Sequence, residues 1–166
     1  MATLFNLIKG TQKVLPVALD RMGDGNNTPI KQIRVQEMVG VKTVQILAVQ
    51  KMSGRFPKSK RPAGSSGVYK QNIKFIYEDR EDVGNRLPSS TTDKAKVRCG
   101  CDAYYYYFWW WNKKHDAHAG SNFKQYVRKT PPPPEGYPEK NPGKIPGVCK
   151  HIAYLVKELR RQEVIK

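Results

Sequence analysis

Four residues carry the chemistry open to this chain. They fall in two tight pairs, Cys99-Gly100-Cys101 and Cys149-Lys150-His151. Thiolate sulfur and imidazole nitrogen are donors that zinc prefers, and three sulfurs with one nitrogen complete a tetrahedral shell. The chain has three cysteines in all. Disulfide pairing would leave one over, whereas a Cys3His site uses every one of them. The count therefore favours metal over bridges. Four protein ligands leave no position for water, so the predicted Zn2+ is structural and its binding free energy becomes folding free energy. A hydrolytic zinc would keep a position open beside a general base.

The flanking patterns say what must hold these pairs. Lys94 to Cys99 alternates and predicts a strand ending at the first ligand. Asp102 to Trp111 then includes Tyr104 to Trp111, an unbroken aromatic run. Aromatic residues favour strands, so a second strand is expected here. Burial on both of its faces is favoured, because an exposed row of Trp promotes aggregation. An exposed face would meet a neighbour or stacked bases. From Val148 the pattern turns helical: Ile152, Leu155, Val156 and Leu159 recur at three and four, with Lys157, Glu158, Arg160, Arg161 and Gln162 facing out. This places Cys149 and His151 at a helix start, where the positive end of the dipole favours thiolate. Between the pairs runs a Pro-rich stretch with Pro131 to Pro134 at its centre, polyproline II in character. It either laces onto a partner or covers the metal. His115 and His118 form an H-x-x-H in a loop-like context and are read as solvated residues rather than a second metal site.

Charge supplies the other signal. Thirty basic residues face fourteen acidic ones, giving +16. Such a balance predicts contact with a polyanion or an acidic protein neighbour. No acidic residue occurs from Lys42 to Lys74. Residues 53–67 are rich in Gly, Pro, Ser and positive charge, between strand patterns over 30–52 and 68–78. A long basic hairpin loop follows, with Lys51, Arg55, Lys58, Lys60, Arg61, Lys70 and Lys74 as candidate nucleic-acid or partner contacts. Residues 79–93 read as a linker, and 1–29 as an arm ordered by partners. The expected organisation is an N-terminal arm (1–29), a basic β-rich region (30–91) and a zinc module with a C-terminal helix (92–166). The opening residues lack a signal peptide and no run reaches membrane-span length, so the expectation is a reducing cytoplasm where thiols stay free.

The arrangement Cys-x-Cys, a variable stretch, then Cys-x-His resembles the SWIM-type zinc finger. That resemblance covers about residues 97–160. It implies a β-β-α layout, with the first pair between strands and the second opening a helix, and DNA or protein binding rather than catalysis. The run Asn141-Pro142-Gly143-Lys144-Ile145-Pro146-Gly147-Val148-Cys149-Lys150-His151, with the aromatic run upstream, also resembles small structural proteins of tailed bacteriophages that carry a SWIM-like element. It implies a virion component at the head–tail junction, tail or baseplate, made in the host cytoplasm. The fold class expected is α+β: a basic β-hairpin or sheet, then a zinc-stapled β-β-α module with a long Pro-rich loop. The function expected is non-enzymatic assembly among other virion proteins, with DNA as a possible further contact and no small-molecule substrate. The alternative is a free DNA- or RNA-binding zinc-finger protein.

Overall fold

In the computed structural model, residues 1–15, 29–51, 68–124 and 140–166 are described. Thr3 opens the first helix: its Oγ1 accepts the Asn6 amide at 3.2 Å, satisfying one of the donors that a helix start leaves free. Ala2–Thr3 forms β1 and Leu4–Val14 forms α1. The apolar side of α1 is anchored by Leu4 and Leu7, both fully buried. The expected arm is therefore, over its described part, a short strand and a helix packed in the core. Its apolar residues needed only the rest of this chain for cover.

The strands are β2 (Ile30–Met38), β3 (Thr43–Lys51), β4 (Val68–Ile76) and β5 (Lys94–Cys99). With β1 they form one antiparallel sheet in the order β1-β5-β4-β3-β2. Strands from all three compositional segments thus share a sheet. A 3-10 turn, Val39–Val41, joins β2 to β3, and Lys42 closes it in the left-handed region at φ 50°. The register places Val44, Phe75 and Ala95 in one cross-strand row and Ile46, Ile73 and Val97 in the next. All six are buried, as the period-two alternation requires. The third row is Ala48, Gln71 and Cys99, so the same buried face delivers the first ligand.

The aromatic run is helical, not a strand. After Cys101 the chain turns through a π-helical segment, Tyr104–Trp109, and continues as α2, Trp110–Lys114. Tyr104, Phe108 and Asn112 are fully buried at a spacing of four. In an ordinary α-helix a four-residue repeat drifts by about 40° per step. The wider π turn removes much of that drift, so the three stay on one side. An all-aromatic run has no period with which to choose strand or helix, and tertiary packing decides. The last element, α3 (Lys150–Arg161), buries Ile152, Leu155, Val156 and Leu159, as its periodicity predicts.

Residues 79–93 are tied down. Arg86 grips Asp93 through two bonds of 2.8 Å, while Val83 packs with Val44 and Tyr77. The Ser90 amide donates to the Lys166 carbonyl and the Lys166 amide to Pro88, fastening the last residue to this segment. Gly10 explains how closely α1 approaches the chain before α3. A Cβ there would lie 2.2 Å from the Pro146 carbonyl oxygen. Glycine within a helix costs about 1 kcal/mol relative to alanine, so a packing reason is needed to keep it. Gly10→Ala is expected to cost about 1–3 kcal/mol, because backbone must move to admit the methyl. Gly40→Ala, with nothing within 4 Å of the added carbon, is the control and should leave thermal unfolding nearly unchanged.

Candidate metal centre

β5 ends on Cys99, whose sulfur points into the core. Gly100 turns the chain, held by its amide on the Lys70 carbonyl of β4 at 3.0 Å. Cys101 follows at the start of the aromatic helical segment. The Tyr104 amide donates to the Cys101 sulfur at 3.4 Å, and the Tyr105 amide to the Cys101 carbonyl at 3.1 Å. Cys149 is the N-cap of α3, and His151 lies in the first turn. A sheet end and two helix starts therefore converge on one point.

The four donor atoms of Cys99, Cys101, Cys149 and His151 all lie within 4.8 Å of one another, and all four residues are buried. A tetrahedral zinc site with bonds of about 2.3 Å to sulfur puts sulfurs about 3.8 Å apart. The cluster is of the size that closes on one ion. The donor set fits a metal on a second ground. Among the described residues both ring nitrogens of His151 are buried with no partner inside hydrogen-bond geometry. A buried, unpaired imidazole costs free energy that a metal bond would recover. All three cysteines are free thiols. These residues could hold a metal ion such as zinc.

The electrostatics agree. Burial pushes the Cys99 thiol well above its usual range, and hydrogen bonds to Cys101 and Cys149 add to it. The Cys101 thiol is raised too, first by its hydrogen bond to Cys149. Cys149 goes the other way. Burial opposes its thiolate, but the two neighbouring thiols and the amides of Ile152 and His151 at the start of α3 outweigh that cost. Of the three buried thiols, the one at the start of α3 is the one whose ionisation its surroundings favour, where the helix dipole also favours it. A dication among them is what would let all three ionise. Tyr69 feels the same cluster. Its ring centroid lies 4.6 Å from that of His151. Its hydroxyl is pushed up to about 12, first by burial and then by Cys101, Asp102 and the other two cysteines.

Around the ligands runs a set of buried polar side chains that the sequence does not advertise. Asn112 donates to the Gly147 carbonyl at 2.8 Å and accepts the Gly147 amide at 2.8 Å. Thr11 of α1 does the same for Val148, donating to its carbonyl at 2.8 Å and accepting its amide at 2.7 Å. The two residues before Cys149 are thereby fixed from both sides. Asn141 secures the start of this stretch, donating to the Tyr107 and Ile145 carbonyls.

His115 is exposed, but His118 is not a solvated residue. Nδ1 of His118 lies 3.0 Å from the Tyr104 hydroxyl and Nε2 lies 3.1 Å from the Ser121 carbonyl. Burial, opposed by the bond to Ser121, lowers its pKa. It braces the aromatic segment from a loop whose Ala119 amide bonds Val97 of β5.

Of the basic candidates, Arg55, Lys58, Lys60 and Arg61 lie outside the described residues, as does the polyproline strip. Lys51 ends β3 and is exposed. Lys70 and Lys74 lie on the sheet face opposite the core, where Lys74 stands across from Lys96 and Asn72 from Arg98. That face is basic beyond the residues singled out from sequence. Among the described residues no helix is long and apolar enough to cross a membrane. Comparison with protein-family models, with curated proteins and with solved structures finds no match for this chain.

Proposed function

We propose that Cys99, Cys101, Cys149 and His151 hold one structural zinc ion, and that the protein is a non-enzymatic assembly component built around it. The observation that carries the reading is the closed set of four buried donors. Four protein ligands fill a tetrahedral shell, so the metal's work is to join β5 to α3 rather than to activate water. The resemblance to small structural proteins of tailed bacteriophages supports reading that work as done in a virion, at the head–tail junction, tail or baseplate, among other virion proteins. The chain would be made in the host cytoplasm and carried into the particle. No small-molecule substrate enters this reading.

A second reading has an observation of its own. Lys70, Lys74, Lys96 and Arg98 share the outer face of the sheet, and Lys74 faces Lys96 directly. Like charges opposed across strands destabilise a sheet unless an anion is near. Lys96 is paired with Asp116, which relieves part of this. A free nucleic-acid-binding protein would use this face together with Lys51 and the basic run beyond it.

Two measurements test the first reading. Metal analysis of the purified, undenatured protein is expected to give one zinc per chain. Mass spectrometry of purified particles is expected to find the protein at a fixed copy number relative to its neighbours. Protein that stays out of particles and binds a defined nucleic-acid sequence as a monomer would replace the first reading with the second.

A further inference from the structure

The exposed side of the aromatic segment has no role in the metal centre. Tyr104, Phe108, Trp109 and Asn112 face inward, whereas Tyr106 is 48% exposed and Trp110 44% exposed. Trp111 is half-buried beside them. Large aromatic surface left in water is unfavourable for an isolated fold, and a contiguous patch of it marks a contact site. The rings are firmly held. Trp109 stacks on Tyr105 with centroids 5.3 Å apart and 8° between planes, and it meets Trp110 edge-on at 6.1 Å.

Lysines surround the exposed rings. Lys113 and Lys114 place their ammonium groups 5.6 and 5.2 Å from the Trp110 ring centroid. Lys114 and Lys144 lie 5.4 and 5.9 Å from that of Trp111. Lys144 arrives from the far end of the chain, at φ 55°, on the loop that Asn141 pins to the Tyr107 carbonyl. Among the described residues no carboxylate forms an ion pair with Lys113, Lys114 or Lys144. Two indole rings and three ammonium groups that form no ion pair among the described residues are thus gathered on one surface of a protein that carries +16.

We infer that this surface binds single-stranded nucleic acid, with bases stacking on Trp110 and Trp111 and phosphates lying on Lys113, Lys114 and Lys144. Single strands present flat π faces and a row of negative charges together, which is the pairing this surface complements. A duplex keeps its base faces stacked inside, so it would meet the lysines and leave the indoles unused. An acidic peptide would likewise use only the charges. An anionic membrane could take lysines and Trp, but interfacial insertion also draws on aliphatic side chains. The exposed aliphatic residues Val35, Val39, Val41 and Leu87 belong to β2, its turn and the 79–93 segment instead. The surface is separate from the basic run 51–74, and the inference depends neither on the metal nor on a place in a virion.

Fluorescence anisotropy with a labelled oligothymidylate of about twenty nucleotides tests it. The full chain is titrated at about 50 and about 200 mM salt. Trp110→Ala is expected to weaken binding about tenfold, the loss of one stacked base, while Trp110→Phe retains most of the affinity. The pair Lys113→Gln and Lys114→Gln should weaken binding and lower the salt slope by about 1.4. A duplex of the same length should bind with no dependence on Trp110. Thermal unfolding and zinc content of each variant confirm that its core is intact. Should Trp110→Ala fail to fold, Lys144→Gln, which sits on the other loop, carries the charge part of the test and Trp110→Leu, which keeps apolar bulk but has no π face, is expected to show the same loss and carries the ring part. The inference is overturned if the oligonucleotide does not bind, or if folded Trp110→Ala binds it as tightly as the parent protein. It is also overturned if affinity follows Lys70→Gln and Lys74→Gln alone, or if only vesicles rich in anionic lipid show dependence on Trp110.

Discussion

Cys149→Ser is expected to strip the metal from the protein and to lower its melting temperature by about 8–16 °C. Serine keeps the shape of the side chain but offers a hard oxygen with a high pKa, a poor ligand for zinc at neutral pH. Three remaining donors hold the ion weakly, and the ion's binding free energy is part of the folding free energy. Loss of a structural metal belongs to the small class of changes that cost about 4 kcal/mol or more. At about 2–4 °C per kcal/mol for a chain of this size, the fall in melting temperature follows. The cost is concentrated at Cys149 because of where it sits. It caps α3 and is the sulfur whose thiolate the cluster favours most. Its loss also weakens the hold on His151, whose two ring nitrogens have no hydrogen-bond partner among the described residues. A chelator sharpens the test. It should bring the parent protein down toward the melting temperature of Cys149→Ser and leave the variant itself unmoved. Equal zinc content and equal melting temperature for the two proteins would remove the metal from the account of the fold.

How far the sequence leads depends on the kind of signal each residue leaves. The four-donor cluster is legible because its makeup is informative: an odd count of cysteines, all in two pairs and one of those pairs shared with a histidine, has few uses. The strands β3, β4 and β5 are legible because one face is buried, and burial at every second residue writes itself into the alternation. The helix α3 is legible by the same logic at its own period. The aromatic segment is not, since a run with no polar residue has no face to mark. The apolar start of the chain is visible, but what covers it is not. Gly10 weakens the helical pattern of α1, and only its distance from the Pro146 carbonyl shows why it is there. His118 reads as a solvated residue because the hydroxyl it meets, on Tyr104, belongs to a segment expected to be a strand. Thr11 and Asn112 leave no trace at all. Each is a common polar residue whose partner lies far along the chain, at sequence separations of 137 and 35.

Those last two residues make the metal centre more than a list of ligands, and Asn112 gives the second large effect expected. Ligands that come from distant parts of a chain bind a metal well only if the fold holds them in place beforehand. Cys99 and Cys101 are placed by the sheet and the turn after it. Cys149 and His151 come from α3, and the residues leading into α3 have no strand or helix to fix them. Asn112 fixes them with two bonds to the backbone of Gly147, and its amide also lies 3.2 Å from the Tyr104 hydroxyl. Asn112→Leu has a similar volume and offers no polar atom. It would leave the buried Gly147 amide and carbonyl each without a partner, at about 1–3 kcal/mol apiece. The expected loss is about 2–6 kcal/mol of stability, with zinc held more weakly by about 10- to 100-fold, the range seen when supporting residues of a metal site are removed. Thr11→Val acts on Val148 from the other side and should show a smaller version of both effects. Because the two residues share the peptide unit between Gly147 and Val148, Asn112 taking its carbonyl and Thr11 its amide, the double variant should lose less than the sum of the single losses. Competition against a chromogenic chelator reads the metal affinity, and thermal unfolding reads the stability. Asn112→Leu with unchanged zinc affinity would mean that α3 finds its place without this bridge, and that the ion, not the buried amide, draws the two halves of the site together.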